Sequence, residues 1–362
     1  MEARLESVIA AAASAPSGDN TQPWRFEADG GTIALLLDER RDTSPMNAGQ
    51  RMARIAAGAA LENLVRAARD LGLRADLDPD PSPALARVRL VDEGDAGGRV
   101  APHIGQIGQR STNRRAYDGR PVEAEVLDRL IQETPELDGV RTHWLVGADR
   151  LKALAQAIGR GDAVMFGEPS MRDAFLSKVR FDRPSGEAVE DGLSIGSLEL
   201  SASDRVALQV MRRLPDFVLK LAGVSVVFES KARSLVAGSS GLLAVSAPDD
   251  RPGTDLAVGR AAERAWLALT ERGLAAQPMM SLPVLENALK HGDERLRTAL
   301  GVARVTALLD DFRALVPELG GRRPAWLMRF GFAPPPSGRT GRLPIARVVS
   351  PAPARRGQGV AS

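Results

Sequence analysis

Residues 14–26 combine small, polar and aromatic side chains in a way that suits ligand binding. The hydroxyl of Ser17, the carboxamide of Asn20 and the backbone amides of a turn could converge on one polar ligand. Pro23 fixes its own φ and is expected to hold Gln22 in an extended conformation. The tryptophan that follows adds a large flat anchor. On residue types alone, the segment could equally be a helix end followed by a turn and a core tryptophan.

A second polar cluster places basic and hydroxyl side chains at alternate positions. It consists of Arg110, Thr112 and Arg114, and alternate side chains of an extended backbone point the same way. Two guanidinium groups and a hydroxyl on one face could hold a phosphate. The charge pattern by itself favours a solvated basic linker.

The first segment resembles a known family motif. Ala15-Pro16-Ser17-Gly18-Asp19-Asn20-Thr21-Gln22-Pro23-Trp24 is similar to the A-P-S-x-x-N-x-Q-P-W segment of flavin-dependent nitroreductases. In that family the segment lies at a subunit interface and contacts FMN bound mainly by the other subunit. The resemblance implies that Pro16, Ser17 and Asn20 contact FMN.

Two arginine-containing segments resemble phosphate-binding parts of the same family. Arg110-x-Thr112-x-Arg114 is similar to the R-x-S-x-[KR] segment that grips FMN, which implies these three residues as contacts. Gly341-Arg342-Leu343-Pro344 resembles the closing [KR]-x-R-L-P, which implies that Arg342 meets the FMN phosphate. Residue types alone favour a surface turn at this second position.

A fourth segment, residues 275–281, follows a predicted helix that ends in Gly-Leu. It is similar to the nitroreductase segment whose backbone amides face the reactive edge of the flavin ring. The resemblance implies Pro278, Met279 and Met280 as cofactor contacts. A methionine pair is otherwise more typical of a core.

The composition excludes several classes of function. With 362 residues, 44% apolar and 26% charged, the chain is an ordinary globular protein of one or two domains. Only 4% of residues are aromatic, the net charge is +2, and basic and acidic residues are interspersed along the chain. These features argue against a nucleic-acid partner. Cysteine is absent and the three histidines are far apart, so no metal site is expected. No signal-peptide pattern or long apolar run occurs, so we expect a cytoplasmic protein without a membrane partner.

Hydrophobic periodicity predicts alternating helices and strands. The predicted helices are 3–14, 47–72, 122–134, 148–158, 255–273, 283–292 and 294–300. The predicted strands are 23–29, 32–38, 84–91, 143–146, 219–229, 241–246 and 326–332. Residues 161–215 look irregular and are long enough to form a lid, and residues 351–362 are expected to be disordered.

One internal repeat is visible in the sequence. Gly58–Ala75 and Gly259–Ala276 match with an offset of 201 residues, and each ends in Gly-Leu before its last residues. Two amphipathic helices could agree this well by chance. Because each is preceded by a strand and a loop, duplication is the better interpretation.

The motifs are divided between the two halves of the chain, which predicts the architecture. The N-terminal half, 1–98, carries the N-x-Q-P-W segment, and the C-terminal half, 104–350, carries the other three together with the lid, 161–215. We expect an α+β, nitroreductase-like fold with a mixed central sheet wrapped by helices. Two tandem half-repeats would form a pseudo-dimer with one FMN site, as in the duplicated Acg-type branch that this chain resembles.

The resemblance implies FMN-dependent oxidoreduction. NAD(P)H would reduce the flavin, which would reduce a small nitroaromatic or quinone-like acceptor, and no side chain is assigned as an acid or base. One alternative is an FMN-binding or FMN-sequestering protein with a lidded cleft and little turnover. Another is a degenerate protein that no longer binds flavin. Self-association beyond the pseudo-dimer is left open.

Overall fold

The computed structural model describes residues 2–94, 102–182 and 189–351. The residues after 351 that were predicted to be disordered, part of the predicted lid, and the boundary of the predicted halves near residue 98 lie outside these ranges. The helices within them are α1 (Glu2–Ala13), α2 (Arg51–Asp70), α3 (Pro102–Gln109), α4 (Ala124–Glu133), α5 (Ala148–Gly167), α6 (Pro169–Lys178), α7 (Ala202–Met211), α8 (Asp216–Leu221), α9 (Val224–Ala237), α10 (Pro252–Glu271), α11 (Ser281–His291), α12 (Glu294–Leu300) and α13 (Val302–Leu315). The strands are β1 (Trp24–Asp29), β2 (Thr32–Leu37), β3 (Leu73–Leu77), β4 (Ala86–Asp92), β5 (Arg141–Val146), β6 (Val179–Arg180), β7 (Leu193–Ser194), β8 (Gly241–Ala247), β9 (Ala275–Pro278), β10 (Arg323–Gly331) and β11 (Val349–Pro351).

Two main sheets have matching strand orders. The first runs β11-β1-β2-β4-β3 and the second β5-β8-β10-β9. The neighbours β1-β2-β4-β3 are antiparallel, as are β5-β8-β10-β9. The last strand, β11, pairs in parallel with β1 and so makes the first sheet mixed. The predicted α+β class with a mixed sheet wrapped by helices is therefore confirmed, although the strands form two sheets instead of one central sheet.

The helices α2 and α10 cross in close contact between the two sheets. A Cβ atom at Gly58 would lie 2.1 Å from the carbonyl oxygen of Leu256, and one at Gly259 would lie 1.8 Å from the carbonyl oxygen of Ile55. These two contacts are related by the 201-residue offset of the sequence repeat. Each helix therefore needs glycine where the other's backbone passes.

Both helices are buried at this crossing, and buried alanines and leucines lie on several sides of each helix. Ala57, Ala60 and Leu64 on α2 are fully buried, as are Ala265 and Leu267 on α10. α2 packs beneath the first sheet with α1, and α10 packs beneath the second. A helix that is apolar on several sides is expected at the centre of a protein.

The predicted strand at 219–229 is wrong, because these residues belong to α8 and α9. The valines of this stretch favour strands, but tertiary packing overrides that weak preference. Gly223 has a left-handed φ of 68°, which ends one helix and starts the next. Ala232 and Val236 then lie one helical turn apart on the buried side of α9.

Residues 161–215 are also more regular than predicted. They contain the end of α5 and the whole of α6 and α7. The predicted helix 47–72 begins only at Arg51, because Gly49 and Gln50 have left-handed φ values of 64° and 58°. Sequence periodicity missed β3, β9, β11 and α13, of which the three strands are only three to five residues long.

Candidate functional site

Two adjoining cavities are lined by residues from both the N-terminal and the C-terminal parts of the chain. The apolar chamber has a volume of about 370 Å³ and the basic chamber about 250 Å³. Both are lined by the same loop, 16–19, and by the segment that begins after α3. The side chains that line both are Pro16, Ser17, Asp19, Thr112, Arg114 and Leu193.

All ten residues implied by the resemblance line one or both chambers. Pro16, Ser17, Thr112 and Arg114 lie where the chambers adjoin. The remaining six divide between the apolar chamber (Pro278, Met279, Met280) and the basic chamber (Asn20, Arg110, Arg342). Segments far apart in sequence are thus brought to one place, while their role as flavin contacts stays a prediction.

The loop before β1 is held in an unusual backbone conformation. Asp19, Asn20 and Gln22 have φ values of 46°, 57° and 49°, in the left-handed region. The expectation that Gln22 is extended is therefore wrong. Its amide nitrogen donates to Ser17 Oγ at 2.9 Å and its side-chain Nε2 donates to the carbonyl of Glu190 at 2.7 Å. These bonds, and one from the amide of Leu343 to Gln22 Oε1, outweigh the local preference.

Arg342 is fixed by backbone carbonyls of the same loop region. Its Nη2 donates to the carbonyl oxygens of Ser14 and Ala15, both at 2.9 Å, and its Nη1 donates to Asn20 Oδ1 at 3.2 Å. Its Nε is buried without a hydrogen-bond partner among the described residues. Burial, aided by the positive charge of Arg110, lowers the pKa of Arg342 to about 9. An anion beside it would favour the charged form.

Arg110 joins the two halves of the chain. Its Nη2 donates to the carbonyl of Ser14 at 3.0 Å, and its Nε lies 3.1 Å from the carboxylate of Glu263. Its guanidinium also lies over the ring of Trp266, 4.7 Å from the centroid. Thr112, two residues on, forms a parallel bridge with Ala276 in β9. Arg110, Thr112 and Arg114 all line the basic chamber, so these alternate residues lie close together.

The basic chamber holds more guanidinium groups than carboxylates. Arg114 donates to the carbonyl of Ser197 at 2.9 Å, and Arg339 donates to the carbonyls of Gly108 and Gln109. Within the described ranges, no carboxylate lies within 4 Å of Arg114, Arg339 or Arg342. Burial lowers the pKa of Arg114, although Asp19 and Glu199 partly oppose that shift. Three cations that meet mainly neutral oxygens form a site for an anion.

Several apolar residues that line the apolar chamber come from the segment after α5, and we call them the roof. These are Phe175, Leu193, Leu198, Leu200, Leu208 and Phe228. Residues of α2, α10 and the 278–281 segment also line this chamber. Within that segment the amide of Met279 donates to the carbonyl of Leu327 at 2.8 Å, so this amide is used by the sheet. Apolar walls of this kind suit a planar aromatic ring.

Four carboxyl groups that line the chambers were not assigned by the sequence analysis, namely Asp19, Asp42, Asp162 and Glu263. Burial raises the pKa of Asp162 to about 7, while a hydrogen bond with Ser281 partly opposes it. Burial, with the nearby Asp42 carboxylate, raises the pKa of Asp19 to about 6. Asp162 lies one turn after the buried Ile158 on α5. A carboxyl group on an apolar helix stripe was the sequence signal that could have revealed it.

Metal binding has no support in the part of the chain that the structure describes. No group of three or more histidine, aspartate or glutamate side chains there could hold an ion. The basic chamber is also the wrong charge for a cation.

Comparison with known proteins shows distant similarity to several relatives. No protein-family model matches the chain. It is 29% identical over 339 residues to the "Uncharacterized protein MT1398" of Mycobacterium tuberculosis, covering 92% of this chain and 46% of that protein. It is also 29% identical over 163 residues to the "Putative NAD(P)H nitroreductase Rv3131" of the same species, covering 42% of this chain and 46% of the relative. The chain thus spans less than half the length of these curated relatives.

Solved structures similar to this chain include two nitroreductases. The FMN-dependent nitroreductase NfnB of Mycobacterium smegmatis, solved with NADPH, has 19% identity and a TM-score of 0.36, with 68% of this chain and 96% of that chain covered. A nitroreductase of Bacteroides fragilis with bound FMN has 14% identity and a TM-score of 0.34, with 64% and 88% covered.

Proposed function

We propose that this chain is an FMN-dependent oxidoreductase of the nitroreductase type, with one FMN held between its two halves. The observation that carries the proposal is the basic chamber beside the apolar one. Arg114, Arg339 and Arg342 meet carbonyl oxygens and lack carboxylate partners within 4 Å among the described residues. A phosphate suits the first chamber and a flavin ring suits the second.

The residues present fit this cofactor. The buried Nε of Arg342 has no partner among the described residues, and a phosphate oxygen would supply one. Volumes of about 370 and 250 Å³ fall together in the range of small-molecule sites. The sequence has no G-x-G-x-x-G turn for a pyrophosphate, which favours FMN over FAD.

Each part of the site has its own task in this proposal. Arg110, Thr112, Arg114 and Arg342 hold the phosphate end, together with Asn20. Pro16 and Ser17 contact the cofactor where the chambers adjoin, and residues 278–280 form a wall beside the ring. When bound, the flavin supplies the redox chemistry that carries reducing equivalents from NAD(P)H to a nitroaromatic or quinone-like acceptor. The roof excludes water, and the Asp162 carboxyl can hold a proton near neutral pH.

A composite site follows from an internal duplication, which we infer from two features. The strand orders of the two sheets match, and the α2–α10 contacts repeat with the offset of 201 residues. Ser17 and Asn20 come from the N-terminal half, whereas the arginines come from the C-terminal half. The chain would then act as a pseudo-dimer of the Acg type, with halves at 1–98 and 104–350.

The roof supports a second candidate function, an FMN-binding protein with little turnover. Leu198 and Leu208 are buried, and both line the apolar chamber from the segment 161–215. A lid formed by this segment could restrict access of NAD(P)H and acceptor to the ring.

One experiment separates these functions. The purified chain is saturated with FMN, its absorption spectrum is recorded, and bound flavin is extracted and identified by chromatography. NADH or NADPH oxidation is then followed with an added nitroaromatic or quinone. Bound FMN with steady oxidation supports the oxidoreductase, and bound FMN without oxidation supports sequestration. A chain that takes up no FMN, or that yields FAD, contradicts both.

A further inference from the structure

Exposed apolar side chains are concentrated in one stretch of the chain. Of the twelve large hydrophobic residues exposed among those described, seven lie between Val206 and Val227. They are Val206, Val210, Leu214, Phe217, Leu221, Val226 and Val227, here called the outer patch. Phe217 and Leu221 are 66% and 85% exposed. Isolated exposed apolar residues are common, but a cluster this dense marks an interaction surface.

The outer patch lies on α7, α8 and α9, and two of these helices also line the apolar chamber, through Leu208 on α7 and Phe228 on α9. On α7, Val206 and Val210 are one turn apart, whereas the buried Leu208 lies two positions from each. On α8, Phe217 and Leu221 have the same relation to the buried Leu219. Since two residues span about 200° of a helix, each helix has a buried side and an opposite apolar side in solvent.

Basic residues are interspersed with the apolar residues of the outer patch along the sequence. Between residues 205 and 221 the chain carries Arg205, Arg212, Arg213 and Lys220 against one acid, Asp216. That carboxylate is engaged with the buried Arg172. Arg213 and Lys220 have no side-chain partner among the described residues. The charge of this surface is therefore positive.

We propose that the outer patch binds the surface of a lipid bilayer rich in anionic lipids. Apolar side chains would enter the interface, and the interspersed basic side chains would meet the phosphate groups. A second copy of the chain fits less well, because a symmetric contact would bring like charges together. None of the described helices is long and apolar enough to cross a bilayer, so contact would be peripheral. The sequence expectation of no membrane partner considered spanning segments only.

Vesicle sedimentation tests this proposal without reference to flavin. The full chain is mixed with vesicles of phosphatidylcholine alone, or with vesicles in which phosphatidylglycerol predominates, at low and high salt. We expect binding to the anionic vesicles only, and a weakening of that binding as salt rises. Equal binding to both vesicle types, or none to either, would overturn the proposal.

Variants separate the apolar and charged contributions. Phe217→Glu with Leu221→Glu should abolish binding, and Arg213→Ala with Lys220→Ala should weaken partitioning by about fivefold for each charge removed. The control is Ile131→Glu, which changes a 48% exposed residue on α4 and should bind like the parent chain. Far-ultraviolet circular dichroism checks that each variant is folded. Concentration-dependent dimerisation that Phe217→Glu removes, without vesicle binding, would assign the patch to a second copy instead.

Discussion

Glu62 on α2 and Glu263 on α10 are related by the 201-residue offset, but they lie in different surroundings on the two faces of the α2–α10 crossing. Glu62 lies between Arg66 at 3.0 Å, Arg260 at 3.3 Å and Arg264 at 3.0 Å. Glu263, 201 residues later, lines the apolar chamber and has one ion-pair partner among the described residues, Arg110.

The pKa values of these two carboxyl groups move in opposite directions. Burial works to raise the pKa of Glu62, but Arg264, Arg66 and Arg260 together hold it below its usual value. Burial raises the pKa of Glu263, which Arg110 offsets only in part. The same residue at equivalent positions is thus structural on one face and part of the cavity wall on the other.

The difference explains why we propose one site per chain. Ala59 lines the apolar chamber, and its equivalent under the 201-residue offset is Arg260. Asn63 likewise corresponds to Arg264. The guanidinium groups that surround Glu62 occupy the face where a second chamber would lie. A duplicated chain would therefore keep one cavity and use the other face for stability.

The largest effect is expected from Gly259→Ala, which disrupts the close contact between α2 and α10. The new Cβ would lie 1.8 Å from the carbonyl oxygen of Ile55, and the backbone of α2 could move away only at a large cost in free energy. We expect a loss of about 3 kcal/mol in the free energy of unfolding, measured with urea. Gly253→Ala on the same helix meets nothing within 4 Å and serves as the control. Equal stability of the two variants would mean that the close contact is absent.

The next effect distinguishes the two glutamates. Glu62→Gln leaves three guanidinium groups without their carboxylate, so we expect a loss of about 3 kcal/mol that saturating FMN does not change. Glu263→Gln leaves Arg110 unpaired, but a bound phosphate would compensate part of that cost. Urea unfolding with and without FMN measures both. If FMN restores the Glu62 variant, or fails to help the Glu263 variant, the assignment of faces is wrong.

Arg342→Ala tests the chamber side directly. Loss of one charge-assisted phosphate contact should weaken FMN binding by about 1.5–3 kcal/mol, which is roughly ten- to a hundredfold. Titration calorimetry measures the affinity, and Arg251→Ala provides an exposed control, since that side chain is 79% exposed. An unchanged affinity would show that Arg342 only holds residues 14–20 in place through its hydrogen bonds.

The most gradual effect concerns the pH dependence of stability, because it is spread over several pH units. The pKa of Asp162 is raised from 3.8 to about 7, so between these values the folded chain binds more protons than the unfolded chain. Stability should therefore fall as pH rises from about 4 to about 7, by at most about 1.4 kcal/mol per pH unit for this group. Glu62, with its lowered pKa, contributes the opposite sign at acidic pH.

Two substitutions on α5 check this prediction. Asp162→Asn should flatten the decline in stability between pH 5 and about 7, as measured by urea unfolding at several pH values. Asp149→Asn, which changes a fully exposed carboxylate on the same helix, should leave it unchanged. A decline that persists in the Asp162 variant would assign it to other groups, such as Asp19.

The ten residues named from sequence motifs all line the two chambers, whereas several elements around them were not predicted. Short motifs keep their order and spacing whatever their tertiary surroundings, and the role of these residues in binding FMN stays a prediction. Helices α6 to α9 were missed, and in α8 and α9 the valines favour strands while tertiary packing selects the helix. The pairing of Arg110 with Glu263 spans more than 150 positions, so no local pattern could reveal it.

The backbone of the 16–22 loop shows the same limit. Pro23 predicted an extended Gln22, yet contacts with Glu190 and Leu343 hold this residue in a left-handed conformation. A local rule failed where long-range hydrogen bonds converge, which is typical of functional sites.

The stoichiometry of FMN binding tests the central claim most directly. We predict one FMN per chain at saturation, determined from flavin absorbance and protein concentration after removal of free cofactor. Asn20→Ala and Arg110→Ala, from opposite halves, should each impair that single binding event, with a combined cost that departs from additivity. Two FMN per chain, or two independent events that are each sensitive to one substitution, would contradict the composite site.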